Sequence, residues 1–288
     1  MKQLDPRLHA FRPELADIAL KGRVSAKRFV PGQELRVAGA QASVRREPSE
    51  AARLETEALR GELVKVFETT ADGWVWAQLE TDRYVGWIPR SELSESGPEP
   101  THRISVPRTL VFAKPDIKSG ALFGLPLGAA VAVVGNAADH NAEYALVTPH
   151  GAIVTQHLCP IDEHEADWVA VVERFLGAPY LWGGKTMLGI DCSGVVQVSL
   201  ASAGIASPRD SDMQEQTLGK SLPLDAGLPQ LRRGDLLFWK GHVGTMLDAD
   251  RLLHANAHHM AVTIEPVVAA VERILRRLGP LTAVRRIG

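Results

Sequence analysis

The chain reads as a multidomain protein, two small all-β blocks followed by one α+β domain. Three observations predict this. Its 288 residues exceed the usual size of a single domain. From about Arg28 to Cys159, short alternating apolar runs are separated by Gly, Pro, Asp and Ser, the texture of small barrels and sandwiches. Beyond residue 165 the apolar spacing becomes helical and then returns to strands.

Residues 1–27 are expected to hold a leading helix, because Leu15, Ile18 and Ala19 follow Pro13 at helical spacing and Gly22 supplies a stop. The first β block spans 28–95 and the second 101–160, and the two read as diverged copies. Pro48, Leu59–Val66, Trp76–Leu79 and Gly86–Ile88 recur in order as Pro115, Leu125–Val133, Tyr144–Val147 and Gly151–Ile153. A leucine follows the glycine by the same step in both, Leu93 after Gly86 and Leu158 after Gly151. Ser94–Pro100 reads as the linker between the copies and Pro160–Asp167 as the linker after them.

The last domain spans 165–288. Trp168, Val171, Val172, Phe175 and Leu176 form one face of a helix closed by Gly177. A loop with glycines leads to a second helix from Asp191 to about Ala203, and strands dominate from Asp235 to about Ile264. The Arg-rich end from Arg273 to Arg286 is interleaved with Ile, Leu and Val, as a terminal helix and strand would be.

Composition narrows the function classes. Apolar residues at 45% and charged residues at 23% are those of an ordinary globular chain. A formal net charge of −2 gives no attraction to polyanions, so no nucleic-acid partner is expected. The weakly polar run from Gly120 to Gly135 is broken by Pro126 and is too short for a bilayer, so no membrane partner is expected either. No apolar core follows the basic start of Met1–Ala10, which makes the cytoplasm the expected location. The two cysteines are far apart, and a structural disulfide is not expected.

The chemistry concentrates at Asp191-Cys192-Ser193-Gly194. Asp191 is a good N-cap, which places Cys192 in the first turn of a helix. There the positive end of the macrodipole and free backbone N–H groups favour a thiolate nucleophile, and the same N–H groups can hold an oxyanion. Cys159 has no such context and reads as structural. The best base is His242 in Gly241-His-Val-Gly244, whose glycines leave room for a substrate backbone, with an ion pair as the expected resting state. His254 would hold the His242 ring and fix its tautomer, provided the connection around Asp248–Arg251 has the parity that puts both on one face. His258 and His259 are spare candidates.

Tyr180-Leu-Trp-Gly-Gly184, Gly189-Ile-Asp-Cys-Ser-Gly194, Arg232–Phe238, Gly241–Gly244 and Leu253-His-Ala255 occur together in one order. In that order and spacing the segment from about 165 to 288 resembles the NlpC/p60-type cysteine peptidases. The resemblance implies a papain-like catalytic domain with a Cys-His-His triad of Cys192, His242 and His254, needing neither metal nor cofactor. With two SH3-like barrels ahead of it, the chain is similar to enzymes that cut murein tri- or tetrapeptides between γ-D-glutamate and the diamino acid. By that resemblance Asp210 binds the free α-amine of an N-terminal L-Ala, Arg209 and Ser211 shape the pocket, and Tyr180 assists beside the nucleophile. Trp182, Asp191 and Ser193 are assigned to the substrate-binding side from the same motifs. Glu62 and Tyr84 of the first block become candidates for closing the amine-binding end.

Three other functions stay open at this stage. A metallohydrolase could use His242, His254, His258 and His259 with Asp248 or Asp250, although no zinc-site spacing is present. A non-catalytic protein could bind wall peptide. An amidase or acyltransferase could run through the same thioester.

Overall fold

Short strands, not a helix, begin the chain. The computed structural model describes residues 4–287 apart from 96, 225–227 and 229. Phe11–Arg12 and Leu15–Asp17 pair antiparallel, Phe29–Val30 adds in parallel, and Ile18–Leu20 is a single 3-10 turn. This corrects the leading helix expected within 1–27. The Asp17 carboxylate accepts the Ala19 N–H at 3.0 Å and holds a local turn in its place. Ala10 and Leu15 bury against Phe67, Trp74, Trp76 and Trp87, while Ile18, on the inner face of the supposed helix, is 43% exposed. Burial against the aromatic cluster overrides the local spacing.

The chain divides into two compact units, Met1–Glu163 and His164–Gly288. In the first, a seven-stranded antiparallel sheet runs in the order Leu93–Ser94, Gln33–Val37, Leu63–Thr69, Trp74–Leu79, Val85–Pro89, Gln41–Arg45, Leu54–Leu59. Alternation buries Leu35, Val44, Val64, Val75, Leu79 and Ile88 in its core. A five-stranded sheet follows, ordered Ala121–Pro126, Arg108–Phe112, Ala152–Val154, Glu143–Val147, Val133–Ala138. Ala130–Val131, His102–Ile104 and Leu158–Pro160 form a further three-stranded sheet.

The endings of these two blocks match. Arg90–Glu92 and Thr155–His157 are 3-10 turns, and Leu93 and Leu158 each open the next strand, which is the physical content of their shared spacing. Upstream the copies have drifted. Trp76 pairs with Trp87, whereas Tyr144 pairs with Val154 and not with Ala152, the counterpart of Trp87. The offset is even, so side chains keep their faces.

The second unit holds α1 (Trp168–Glu173), α2 (Cys192–Ser202), α3 (Ser211–Thr217) and α4 (Val267–Leu278). α1 ends earlier than its apolar spacing suggests, so Phe175 is buried from the turn that follows while Leu176 is 51% exposed. Six antiparallel strands run in the order Lys220–Leu222, Ala283–Arg286, Asp235–Trp239, His242–Met246, Arg251–Asn256, Ala261–Pro266. α4 closes one core over this sheet, packing Val267, Ala270 and Ile274 with Trp239, Met246 and Leu252. Among the described residues no helix is long and apolar enough to cross a membrane.

Candidate active site

Cys192 is the first residue of α2, and the cap before it is heavily tied. The Asp191 carboxylate accepts the Gly194 N–H at 2.7 Å and the Gly183 N–H at 2.8 Å. Arg209 grips the same carboxylate in bidentate fashion, at 2.9 and 2.7 Å, and donates to Ser193 Oγ at 2.9 Å. This pair is buried, with Arg209 only 1% exposed. A buried, doubly hydrogen-bonded ion pair fixes geometry even where its net contribution to stability is small. Gln214 on α3 adds a hydrogen bond from its amide to the Ser193 carbonyl at 3.0 Å.

The backbone here is closely nested. A Cβ on Gly194 would stand 2.4 Å from the Gly184 carbonyl oxygen, so the glycines of the two motifs are required by close approach. Tyr180 is held on the adjoining segment by its backbone N–H, which donates to the Met260 carbonyl at 2.9 Å. Its phenol lies within electrostatic reach of Cys192 and Asp191, and burial followed by those two charges raises its pKa. Trp182 stands beside it with half of its surface in solvent.

The bases come from the sheet. Lys240 and Gly241 make a two-residue turn, with Gly241 in the left-handed region at φ 74°, so that His242 opens its strand directly opposite Trp239. Met246 pairs with Leu252 across a short connection closed by the Asp248 carboxylate, which accepts the Asp250 and Arg251 N–H groups. This register puts His242 and His254 on one face with no bulge in the pairing. The two rings meet, His242 Nε2 lying 2.8 Å from His254 Nδ1 with both side chains buried. The two glycines around His242 differ in their surroundings. Gly241 serves the turn and has open space where a Cβ would stand, whereas a Cβ on Gly244 would press on Leu252 at 2.8 Å, so Gly244 answers to packing within the sheet.

α2 packs against the strand that His242 opens, and the backbone amide of the next residue, Val243, acts on the Cys192 thiol in favour of its charged form. Thiol and imidazole are thereby set at one junction. Burial, together with the Asp191 carboxylate, pushes the Cys192 thiol up to about 12, outweighing the Val243 and Ser193 amides and Arg209. Burial, then the charges of His254 and Arg273, pushes His242 down to about 3. Burial thus disfavours each charge taken singly, and an ion pair of the expected kind requires proton transfer between the two groups.

Other expected residues divide into those that frame the site and those that can meet a ligand. Asp191, Ser193 and Arg209 are buried and bonded to one another, so they frame the start of α2. Asp210 and Ser211, at the start of α3, are half-buried and stand next to the anchored Arg209. In the first unit, Glu62 lies half-buried just after the Arg60–Gly61 turn, where the Arg60 carbonyl accepts the Ala130 N–H. Tyr84 packs in the core of the seven-stranded sheet with 3% exposure.

Sequence reasoning missed the far side of His254. Its Nε2 lies 2.7 Å from the Glu265 carboxylate, which Arg273 of α4 also grips. The hydrogen bond from His254, reinforced by Arg273, holds Glu265 down to about 2. With both His254 nitrogens engaged by His242 and Glu265, the metallohydrolase reading loses one of its ligands. His259 is hydrogen-bonded to Asn256 at 3.0 Å.

Two segments of the chain match known families. Residues 44–93 match the bacterial dipeptidyl-peptidase SH3 domain and residues 177–272 match the NlpC/P60 family. The chain is 28% identical over 261 residues to a γ-D-glutamyl-L-lysine dipeptidyl-peptidase of Bacillus subtilis, covering 81% of each protein. It is also 28% identical over 229 residues to dipeptidyl-peptidase 6 of Lysinibacillus sphaericus, covering 73% of this chain and 83% of that protein. A crystal structure of an NlpC/P60 family protein from Bacillus cereus shares the fold, with a TM-score of 0.68 at 21% identity, covering 88% of this chain and 99% of that one. The segment that carries Cys192, His242 and His254 is thus an NlpC/P60 domain, the module of a family of cysteine peptidases, behind an SH3 domain of the bacterial dipeptidyl-peptidase type.

Proposed function

We propose that this protein is a cysteine endopeptidase that cuts murein-derived tri- or tetrapeptides between γ-D-glutamate and the diamino acid, acting on peptides with a free N-terminal L-alanine. The observation that carries the reading is the buried His242–His254 hydrogen bond set beside the thiol that opens α2. The name of the Bacillus subtilis relative, a γ-D-glutamyl-L-lysine dipeptidyl-peptidase, supports the choice of bond. Recycling of cell-wall peptides in the cytoplasm is the setting we assign to it. The second strand block is read as a further SH3-like barrel and the catalytic domain as papain-like.

In this mechanism His242 takes the Cys192 proton as sulfur attacks the γ-glutamyl carbonyl carbon, and amide N–H groups at the start of α2 receive the oxyanion. Collapse breaks the C–N bond, with His242 returning the proton to the leaving amine of the diamino acid. Water, deprotonated by His242, then opens the thioester and releases L-Ala-γ-D-Glu with the thiol restored. Asp210, held beside α2 by the bonded Arg209, accepts the substrate ammonium, and the exposed Trp182 ring flanks the peptide.

Mass spectrometry of defined peptides, free and N-acetylated, tests this reading. Losing a hydrogen bond between charged partners, worth about 1.5–3 kcal/mol, should lower kcat/KM for the acetylated peptide by roughly ten- to a hundredfold. Asp210→Asn should remove most of that preference. Equal cleavage of both peptides by the native protein would eliminate Asp210 as the amine receptor.

A further inference from the structure

The proposed chemistry needs a lone pair on the His242 nitrogen that faces sulfur, and nothing within His242 itself ensures it. A neutral imidazole carries one N–H, and which nitrogen bears it is decided by the partners of the ring. Here the partners form a line across one face of the sheet. Leu252 pairs with Glu265 and His254 with Thr263, so His254 and Glu265 project from neighbouring strands on the same side. We propose that Glu265 is a positioning residue that sets the tautomers of both histidines and so turns the lone pair of His242 toward Cys192.

The inference follows from donor and acceptor capacity alone. Glu265 Oε1 lies 2.7 Å from His254 Nε2, and an ionised carboxylate can only accept. His254 Nε2 must therefore carry the proton, which leaves His254 Nδ1 with a lone pair. That lone pair faces His242 Nε2 at 2.8 Å, so His242 Nε2 is the donor and its Nδ1 is bare. Two hydrogen bonds thus transmit the acceptor character of one carboxylate to the base. Without an acceptor at Glu265, His254 can donate through Nδ1 instead. His242 would then accept at Nε2 and hold its proton on Nδ1, presenting a donor to the thiol.

Glu265 is kept as an acceptor by its surroundings. Arg273 of α4 grips its Oε1, and His259 Nδ1 lies 3.7 Å from the same oxygen. The carboxyl is accordingly held well below the usual range. The site motifs of the sequence contain neither Glu265 nor Arg273. Their involvement appears only from the pairing of Arg251–Asn256 with the edge strand Ala261–Pro266 and from the helix behind them.

This inference rests on the reading of His242 as the base, and it is tested in a way that separates the two. The experiment measures histidine tautomers by nitrogen-15 NMR at neutral pH, in the whole protein and in Glu265→Gln, alongside kcat and KM on a free murein peptide and the melting temperature. The native protein should show Nε2–H tautomers at His242 and His254. Glu265→Gln, whose amide can present either a donor or an acceptor, should show mixed tautomers and a kcat lower by about ten- to a hundredfold, with KM within about twofold. That loss is smaller than the roughly 10⁴-fold cost of a wholly wrong tautomer in a related triad. An Nδ1–H tautomer at His254 in the native protein overturns the proposal, as does wild-type kcat in the variant. A kcat loss with unaltered tautomers would mean a packing role only and also overturns it. If Glu265→Gln does not fold, the native tautomers alone decide. Absence of peptide cleavage by the native protein would instead defeat the proposed function, because the tautomers are read without turnover.

Discussion

Replacing Cys192 by alanine is expected to abolish cleavage of L-Ala-γ-D-Glu-diamino acid peptides while leaving their affinity almost unchanged. By analogy with removal of the nucleophile from other hydrolase triads, the fall in kcat should be about 10⁶-fold or reach the detection limit. No neighbour can stand in. Ser193, one residue away, has its hydroxyl held between Asp191 and Arg209, and Cys159 belongs to the other unit. Because Asp191, Arg209 and Gln214 fix the start of α2 without help from the sulfur, the variant should keep its pocket. Product analysis gives the loss of turnover, and calorimetry with the uncleaved peptide gives the retained affinity.

The second large effect concerns His242→Ala. Burial and Asp191 push the thiol up to about 12, and in the proposed mechanism proton transfer to His242 makes sulfur nucleophilic near neutrality. Without the imidazole, iodoacetamide should modify Cys192 with a rate that rises about tenfold per pH unit from 7 to 10, as for an isolated thiol of high pKa. The slope is the readout, because removing the ring also opens a path to sulfur. Turnover should fall by about 10²–10⁴-fold, the range for loss of a general acid–base. Since the two groups act as one unit, adding Cys192→Ala should cost far less than the product of the separate losses. A variant slope as shallow as that of the native protein would show that the thiolate is stabilised by the helix start alone.

Much of the candidate site was legible because its determinants are local. An N-cap, a thiol in the first turn and a glycine needed for close approach lie in four consecutive residues, and the structure uses each of them. Determinants that depend on register were harder. Whether His242 and His254 share a face hinged on the short connection closed by Asp248, and Glu265 became visible only once its strand was paired. Buried charges were harder to read. The cap role of Asp191 was legible, whereas its ion pair with Arg209, in which each buries the other, lies outside any local pattern. The leading segment failed for a related reason, since the aromatic surface that buries Leu15 is built by residues some fifty to seventy positions later. Tyr84 was ambiguous because aromatic residues serve cores and clefts equally well, and the first sheet uses it in its core.

The central claim is that the Cys192 sulfur becomes bonded to the γ-carbonyl carbon of the substrate glutamate, and an acid-quenched reaction can be read for that bond. Rapid mixing of native protein with a murein tripeptide, followed by peptide mapping, should place an L-Ala-γ-D-Glu acyl group on the fragment containing Cys192. An acyl group on any other residue, or turnover that persists in Cys192→Ala, would contradict the account.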